Sequence, residues 1–167
     1  PDFDGVLCLP GTHCKWIHIS AAEIVSFQTA MTSELFALLS KQSVLRHSLS
    51  GSDQDLDAFD EAVSETLSRP ERLAQNLFGI RAQGLLQGED PARARGRLAG
   101  LLIGAELAAT RPYWLGQQVL IAGAPYLTAR YERALSAQGA PCQSRDVEDL
   151  TLAGLRLARQ FQTETPS

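Results

Sequence analysis

The chain has 167 residues, of which 44% are hydrophobic and 20% are charged, and its formal net charge is −4 at pH 7. This length corresponds to about one domain, and it allows a buried core that needs no disulfide or metal to hold it. The acidic balance excludes a sequence-independent grip on nucleic acid, which requires a basic surface, so we expect no nucleic-acid partner.

The first thirty residues predict three short strands. Residues 6–9 are an apolar run that stops at Pro10-Gly11, a strong turn signal. Residues 15–19 alternate between two faces, and residues 23–29 are rich in β-branched and aromatic side chains. Strands this closely spaced predict an antiparallel meander.

A helical period follows the predicted strands. Thr32 or Ser33 can cap a helix that runs through residues 34–39. After a polar loop, the apolar spacing predicts three further helices: residues 55–67, a helix opened by Pro70, and a long helix from the Asp90-Pro91 pair to residue 107. These helices form an insertion over about residues 50–112 between the predicted strands.

The long helix carries both small and charged residues. Gly100 and Gly104 would let another backbone approach closely, because glycine has no Cβ. Glu106 is a charged residue in an otherwise apolar segment, so it lies either on a solvated face or at an interface. Three arginines spread around the same helix are predicted to be solvated: Arg93, Arg95 and Arg97.

After Pro112, strand and helix patterns alternate. The predicted elements are a strand over residues 118–122, a helix over 127–138, a strand over 141–147 and a helix over 150–161. The full order is three strands, a helical insertion, and then strand, helix, strand and helix. This is the order of a ribonuclease-H-like α/β domain, with a mixed sheet of about five strands.

The cysteines and the apolar runs indicate the compartment. Cys8, Cys14 and Cys142 form no CxxC pair and no even-numbered framework, which is typical of a reducing compartment with thiols used as small apolar residues. No apolar run approaches the roughly 20 residues of a membrane span, and no segment resembles a signal peptide. We therefore expect a cytoplasmic protein with no membrane partner.

The sharpest local feature is Leu-Pro-Gly-Thr-His-Cys-Lys-Trp at residues 9–16, at the turn between the first two predicted strands. Gly11 lets the backbone come close to a ligand, and consecutive turn amides can bind an anion. Thr12, His13 and Lys15 add hydrogen-bond donors, which suits a terminal phosphate. The alternative on spacing alone is a plain hairpin turn with a solvated lysine.

A second feature, Gly123-Ala124-Pro125, lies between a predicted strand and a predicted helix. Ligands of open α/β sheets bind beyond the carboxyl ends of the strands. Small residues at that point leave room for a flat group such as adenine. The alternative is a close-packed corner between strand and helix.

In this order, the two features resemble the second phosphate motif and the adenosine motif of the sugar kinase, heat-shock protein 70 and actin superfamily. Residues 9–16 are similar to LPGTHSKW of the 2-dehydro-3-deoxygalactonokinase family, and residues 29–39 are similar to its TFMTGELFALL. Residues 98–106 resemble its LSGLLIGAE helix. The chain departs from the family at Cys14, where the family has Ser, and at Ser33, where it has Gly.

The resemblance implies transfer of the γ-phosphoryl group of ATP to the 6-hydroxyl of a sugar acid, 2-dehydro-3-deoxy-D-galactonate, with Mg²⁺ bridging the phosphates. It assigns seven residues to ATP: Gly11, Thr12, His13 and Lys15 at the phosphates, and Gly123, Ala124 and Pro125 bordering the adenosine. Glu34 could face the sugar, although an acidic residue in the first turn also suits the helix dipole without any further role.

Every motif found belongs to the second domain of a two-domain kinase, and the chain begins at Pro1 rather than Met. We therefore expect residues 1–167 to be a C-terminal nucleotide-binding domain. Its partner would be a missing N-terminal domain that carries the catalytic residues, and the exposed domain face could also support a homo-oligomer.

Two alternatives stay open. The first is a non-catalytic nucleotide-binding or regulatory module of the same superfamily, favoured by Cys14 in place of the family's Ser. The second is a mainly helical protein-interaction domain, favoured by the long helical segment over residues 55–109. The second predicts that no β meander surrounds Gly11.

Overall fold

A computed structural model describes residues 3–88 and 90–164. The strands are β1 (Gly5–Leu9), β2 (Cys14–Ser20), β3 (Glu23–Ala30), β4 (Val119–Ala122) and β5 (Cys142–Arg145). They form one sheet in the order β3-β2-β1-β4-β5. The first three strands are an antiparallel meander, and β4 pairs in parallel with both β1 and β5. The predicted α/β class and the mixed sheet of about five strands are confirmed.

Most of the remaining described residues are helical. They are α1 (Thr32–Gln42), α2 (Leu56–Ser68), α3 (Leu73–Gln87), α4 (Pro91–Ala109), α5 (Arg111–Trp114), α6 (Pro125–Ser136) and α7 (Val147–Glu164). Short 3-10 turns occupy Val44–His47 and Pro70–Arg72. Within the described ranges, no helix combines the length and apolarity needed to cross a bilayer.

Local chemistry sets most helix starts. The carboxylate of Asp90 accepts from the Ala92 amide, and Pro91 takes the first helical position of α4, as predicted. The helices α6 and α7 begin earlier than the predicted residues 127 and 150. Pro125 has its φ angle preset for the start of α6, and the Asp146 carboxylate accepts from the first-turn amides of α7.

The predicted cap of α1 is wrong. Met31 occupies the N-cap position, without a side-chain hydrogen bond to the helix, and Thr32 is the first helical residue. The Thr32 hydroxyl instead donates to the carboxylate of Glu106 on α4. A long-range partner therefore replaces the local cap that the sequence favours.

The main core lies between one sheet face and the helices. Val6 and Cys8 of β1, Trp16 of β2 and Ile121 of β4 are fully buried there. The helical side of this core comes from α2, α4 and α6: Phe59, Val63, Ile103, Leu107, Tyr131 and Leu135. A second apolar cluster joins α3 to α4 around Ile80 and Leu98.

The two helices α2 and α4 pack at backbone distance. A Cβ added to Gly96, Gly100 or Gly104 would lie 2.2, 2.3 or 2.7 Å from a backbone oxygen of α2 or its cap residue Asp55. Real Cβ atoms do not approach so closely, so only glycine fits at these positions. The predicted close approach at Gly100 and Gly104 is confirmed, and α2 and α4 are in backbone contact.

Replacing the cap of α2 should weaken the fold. The Asp55 carboxylate accepts from the amides of Asp57 and Ala58, so Asp55→Ala should lower the free energy of unfolding by about 1 kcal/mol. Asp53→Ala is the matched control, because the Asp53 carboxylate accepts from the Ser52 hydroxyl rather than from an amide. Equal urea midpoints for the two variants would contradict the capping role.

Candidate functional site

The predicted phosphate turn connects β1 to β2 at residues 10–13. Gly11 is half-buried, and Thr12 and His13 are exposed. Lys15 follows on β2, where strand alternation places its exposed side chain on the sheet face opposite buried Trp16. The turn therefore exposes a hydroxyl and an imidazole where β1 ends.

The predicted adenosine corner lies beside this turn. Gly123 follows β4, Ala124 is the N-cap of α6 and Pro125 is its first residue. A Cβ on Gly123 would lie 2.4 Å from the carbonyl oxygen of Pro10, so the two segments touch at backbone distance. They meet because β1 and β4 are parallel neighbours, which brings their carboxyl ends to the same edge. The structure thus joins two features that are 113 positions apart.

Glu34 joins the turn from the other side. Its Oε2 lies 2.5 Å from Nε2 of His13, and both side chains are partly exposed. This side-chain contact links the β1–β2 turn to the first turn of α1. Glu34 therefore contacts a residue assigned to the phosphates.

A pocket of about 920 Å³ opens beside these segments. Its walls come from α1, the loop over residues 49–54, α4 and α6. Aromatic and charged side chains line it: Phe36, Lys41, Asp53, Arg95, Tyr126 and Arg130. This volume falls in the range of pockets that enclose small-molecule ligands. The first turns of α1 and α6 both contribute to the walls, but none of the seven residues assigned to ATP lines this pocket. Gly123 and Pro125 line a second, smaller pocket of about 280 Å³.

Two arginines of the pocket are held against aromatic rings. The Arg95 guanidinium lies 5.3 Å from the ring centre of Phe36, and its Nη1 donates to the Leu49 carbonyl. Arg130 lies 5.6 Å from the ring centre of Phe59 and donates to Gln54. Arg95 is half-buried rather than fully solvated as predicted, because its guanidinium packs on a ring from α1. The helical spacing of the arginines gave no sign of this distant partner.

Cys14 points away from the turn and into the core. It is fully buried, with its Sγ 3.8 Å from that of Cys8. The contact with Cys8, together with burial, raises the pKa of the Cys14 thiol far above its ordinary value. Burial likewise raises the pKa of Cys8. The departure from the family's Ser therefore lies behind the turn, among apolar side chains.

Thiol labelling should distinguish the three cysteines. Thiolate is the reactive form, and the raised pKa values keep Cys8 and Cys14 protonated at pH 8. Cys142 is only half-buried, so the native protein should titrate one thiol rapidly, and three after denaturation. Rapid titration of all three thiols without urea would contradict the buried placement of Cys8 and Cys14.

Glu106 holds a buried polar cluster behind the pocket. Its carboxylate accepts from Nε1 of Trp16 at 2.7 Å, from the Tyr131 hydroxyl at 2.7 Å and from the Thr32 hydroxyl. These donors belong to β2, α6 and α1. Glu106 is buried inside the domain rather than on a solvated face, and the three elements that meet around it all belong to this chain.

Comparison with known proteins gives a consistent result. The family described as 2-keto-3-deoxy-galactonokinase matches residues 1–158. A 2-dehydro-3-deoxygalactonokinase of Escherichia coli is 37% identical over 150 residues, and a probable one of Rhizobium meliloti is 35% identical over 157 residues. These matches cover 89% and 92% of this chain. The chain spans about half the length of these curated relatives, 51% in each case.

A solved structure agrees with the sequence relatives. The crystal structure of a candidate 2-dehydro-3-deoxygalactonokinase from Sinorhizobium meliloti superposes with a TM-score of 0.91 at 32% identity. The match covers 99% of this chain and 56% of that one. The chain therefore belongs to the 2-keto-3-deoxy-galactonokinase family.

Proposed function

We propose that this member of the 2-keto-3-deoxy-galactonokinase family is the ATP-binding half of a kinase that phosphorylates 2-dehydro-3-deoxy-D-galactonate at its 6-hydroxyl. The observation that carries the proposal is the backbone contact between Gly123 and Pro10 beside a pocket of about 920 Å³. A nucleotide needs a cavity for its base and donors for its phosphates. Here the corner that touches the turn is followed, three residues after Gly123, by Tyr126 of the pocket wall.

The proposed pose places the adenosine in the pocket and the phosphates at the β1–β2 turn. Gly123, Ala124 and Pro125 would border the ribose and base at the start of α6, directly before Tyr126, which lines the pocket. The amides and side chains of Gly11, Thr12 and His13 would contact the β- and γ-phosphates. Lys15 would attract the phosphates only through its charge, because its side chain lies on the sheet face opposite buried Trp16.

We further propose that the domain is ribonuclease-H-like. The support is the strand order β3-β2-β1-β4-β5, with an antiparallel meander followed by parallel β4 and β5. The helices α2 to α5 would then be the insertion over about residues 50–112. The meander around Gly11 removes the ground for a mainly helical interaction domain.

We propose that the catalytic groups, and most of the ligands of Mg²⁺, lie outside this chain. Within residues 3–88 and 90–164, no group of three or more His, Cys, Asp or Glu side chains is arranged to hold a metal ion. Mg²⁺ commonly relies on substrate phosphates and one or two carboxylates, so the ion would be held mainly by the ATP phosphates. We assign no catalytic base to this chain.

The proposed partner is the other half of a two-domain kinase, in line with relatives about twice as long. Large apolar side chains are exposed on β3 and α7, and they offer surface for that domain or for a second copy of the chain: Ile24, Phe27, Leu152, Leu155 and Leu157. A cytoplasmic location fits the buried free thiols Cys8 and Cys14.

His13 should contribute to ATP affinity but not to AMP affinity. Loss of a hydrogen bond to a charged phosphate costs about 1.5–3 kcal/mol, so His13→Ala should weaken ATP binding about tenfold or more. His47→Ala is the matched control, because His47 is exposed on the 3-10 turn Val44–His47 outside the pocket lining. Calorimetric titration of both variants with ATP and AMP measures the difference.

Activity of the complete gene product tests the substrate. It should transfer phosphate from ATP to 2-dehydro-3-deoxy-D-galactonate, and removal of Mg²⁺ should abolish the transfer. ATP binding without phosphorylation of any sugar acid would instead favour the alternative of a regulatory nucleotide-binding module. Failure to bind ATP at all would reject both proposals.

A further inference from the structure

The Glu106 carboxylate is a costly group to bury. It is 5% exposed in the apolar helix α4, and an isolated buried charge is strongly unfavourable. Three donors offset this cost: Nε1 of Trp16 and the hydroxyls of Thr32 and Tyr131. Buried charged networks are often no more stabilising than apolar side chains of the same volume. The network therefore need not add stability, and its three donors come from three different elements.

Each donor lies on or next to an element that is proposed to contact the nucleotide. Trp16 is on β2, just after the β1–β2 turn. Thr32 starts α1, on which Glu34 pairs with His13 of that turn. Tyr131 is on α6, and both Tyr131 and Thr32 line the large pocket. The Glu106 carboxylate thus connects the β1–β2 turn, assigned to the phosphates, with the α6 wall of the pocket, assigned to the adenosine.

The helix that carries Glu106 is well anchored. Gly96, Gly100 and Gly104 of α4 meet the backbone of α2 and its cap so closely that no Cβ would fit. The α2–α4 pair therefore resists displacement, and Glu106 is a fixed point on it. The three hydrogen bonds hold β2, α1 and α6 in position relative to Glu106.

We propose that Glu106 is a positioning residue of the nucleotide site, which sets the spacing between the β1–β2 turn and the α6 wall of the pocket. The inference rests on the proposed function. An ATP molecule that bridges the two walls binds well only if they are held at the correct separation, because small misplacements of binding groups are costly. Glu106 would act through Trp16, Thr32 and Tyr131, without touching the nucleotide.

Two near-isosteric variants probe this role. In Glu106→Gln the amide can turn its oxygen to Trp16 and its NH₂ to the two hydroxyls, which can accept as well as donate. The hydrogen bonds then persist in weaker, uncharged form. Tyr131→Phe removes one bond and keeps the ring that packs beside Trp16. Ile80→Val is the control, a fully buried residue of α3 outside the pocket lining.

The experiment measures kcat and both KM values of the complete gene product, well below the melting temperature of each variant. Glu106→Gln should raise the KM for ATP about tenfold, Tyr131→Phe several-fold, and neither should change the KM for the sugar acid. The double variant should cost less than the product of the two single effects, because both act on one network. Ile80→Val should lower the melting temperature without changing either KM.

The outcomes separate this inference from the proposed function. An unchanged KM for ATP in Glu106→Gln, or equal changes in both KM values, would overturn the positioning role while leaving the kinase intact. If Glu106→Gln does not fold, Tyr131→Phe decides, and an unchanged KM for ATP overturns the inference. A wild-type protein with no ATP-dependent phosphorylation would reject the proposed function itself.

Discussion

Gly100→Ala is expected to lower the free energy of unfolding by about 3 kcal/mol, the upper end of the usual cost of overpacking. The added methyl would lie 2.3 Å from the Phe59 carbonyl oxygen and 2.8 Å from Cβ of Ala62. The first of these neighbours is backbone, so it cannot move aside by changing a rotamer. The helices α2 and α4 would have to separate, and the core above the sheet would loosen with them.

The matched control, Gly79→Ala, should change the free energy of unfolding in the opposite direction. Gly79 lies inside α3, and a Cβ there would meet nothing within 4 Å. Because glycine disfavours the helix interior, Gly79→Ala should raise stability by about 0.5–1 kcal/mol. Urea denaturation of both variants measures the contrast. A Gly100→Ala protein as stable as wild type would show that α2 and α4 are not in backbone contact.

Gly123→Ala is expected to weaken ATP binding about tenfold or more, because small misplacements of binding groups are costly. The new Cβ would lie 2.4 Å from the carbonyl oxygen of Pro10. This contact joins the turn proposed for the phosphates to the corner proposed for the adenosine, so relief of the clash moves one away from the other. A ligand that spans both should lose more affinity than one that uses only the corner.

AMP and thermal stability supply the controls for this variant. AMP lacks the phosphates assigned to the turn, so Gly123→Ala should weaken its binding much less than that of ATP. Gly79→Ala, on a helix outside the pocket lining, should leave both affinities unchanged. Equal losses for ATP and AMP would indicate general damage to the fold rather than separation of the two walls.

The parts of the fold that depend on local chemistry could be predicted from sequence. Alternation over residues 15–19 and the turn at Pro10-Gly11 identified the meander, and the Asp90-Pro91 pair located the start of α4. The need for glycine at Gly100 and Gly104 was also visible, since two small residues one turn apart allow close helix packing. Each of these signals lies within a few residues of the structure that it determines.

The parts that depend on distant partners could not be predicted. The Thr32 hydroxyl does not cap α1 but donates to Glu106, which is 74 positions away. The guanidinium of Arg95 on α4 packs on the ring of Phe36 on α1. The two halves of the candidate site were each recognisable in sequence. Their contact, however, depends on the parallel pairing of β1 with β4.

The most direct test of the central claim is the affinity of this chain for ATP compared with AMP. If adenosine occupies the pocket and the outer phosphates lie at the β1–β2 turn, ATP should bind about tenfold or more tightly than AMP. His13→Ala should remove most of that difference, because it alters only the phosphate side. Calorimetric titration in Mg²⁺ buffer gives all four constants. Equal affinities for ATP and AMP in the wild-type chain, or no binding by a chain shown to be folded, would contradict the account.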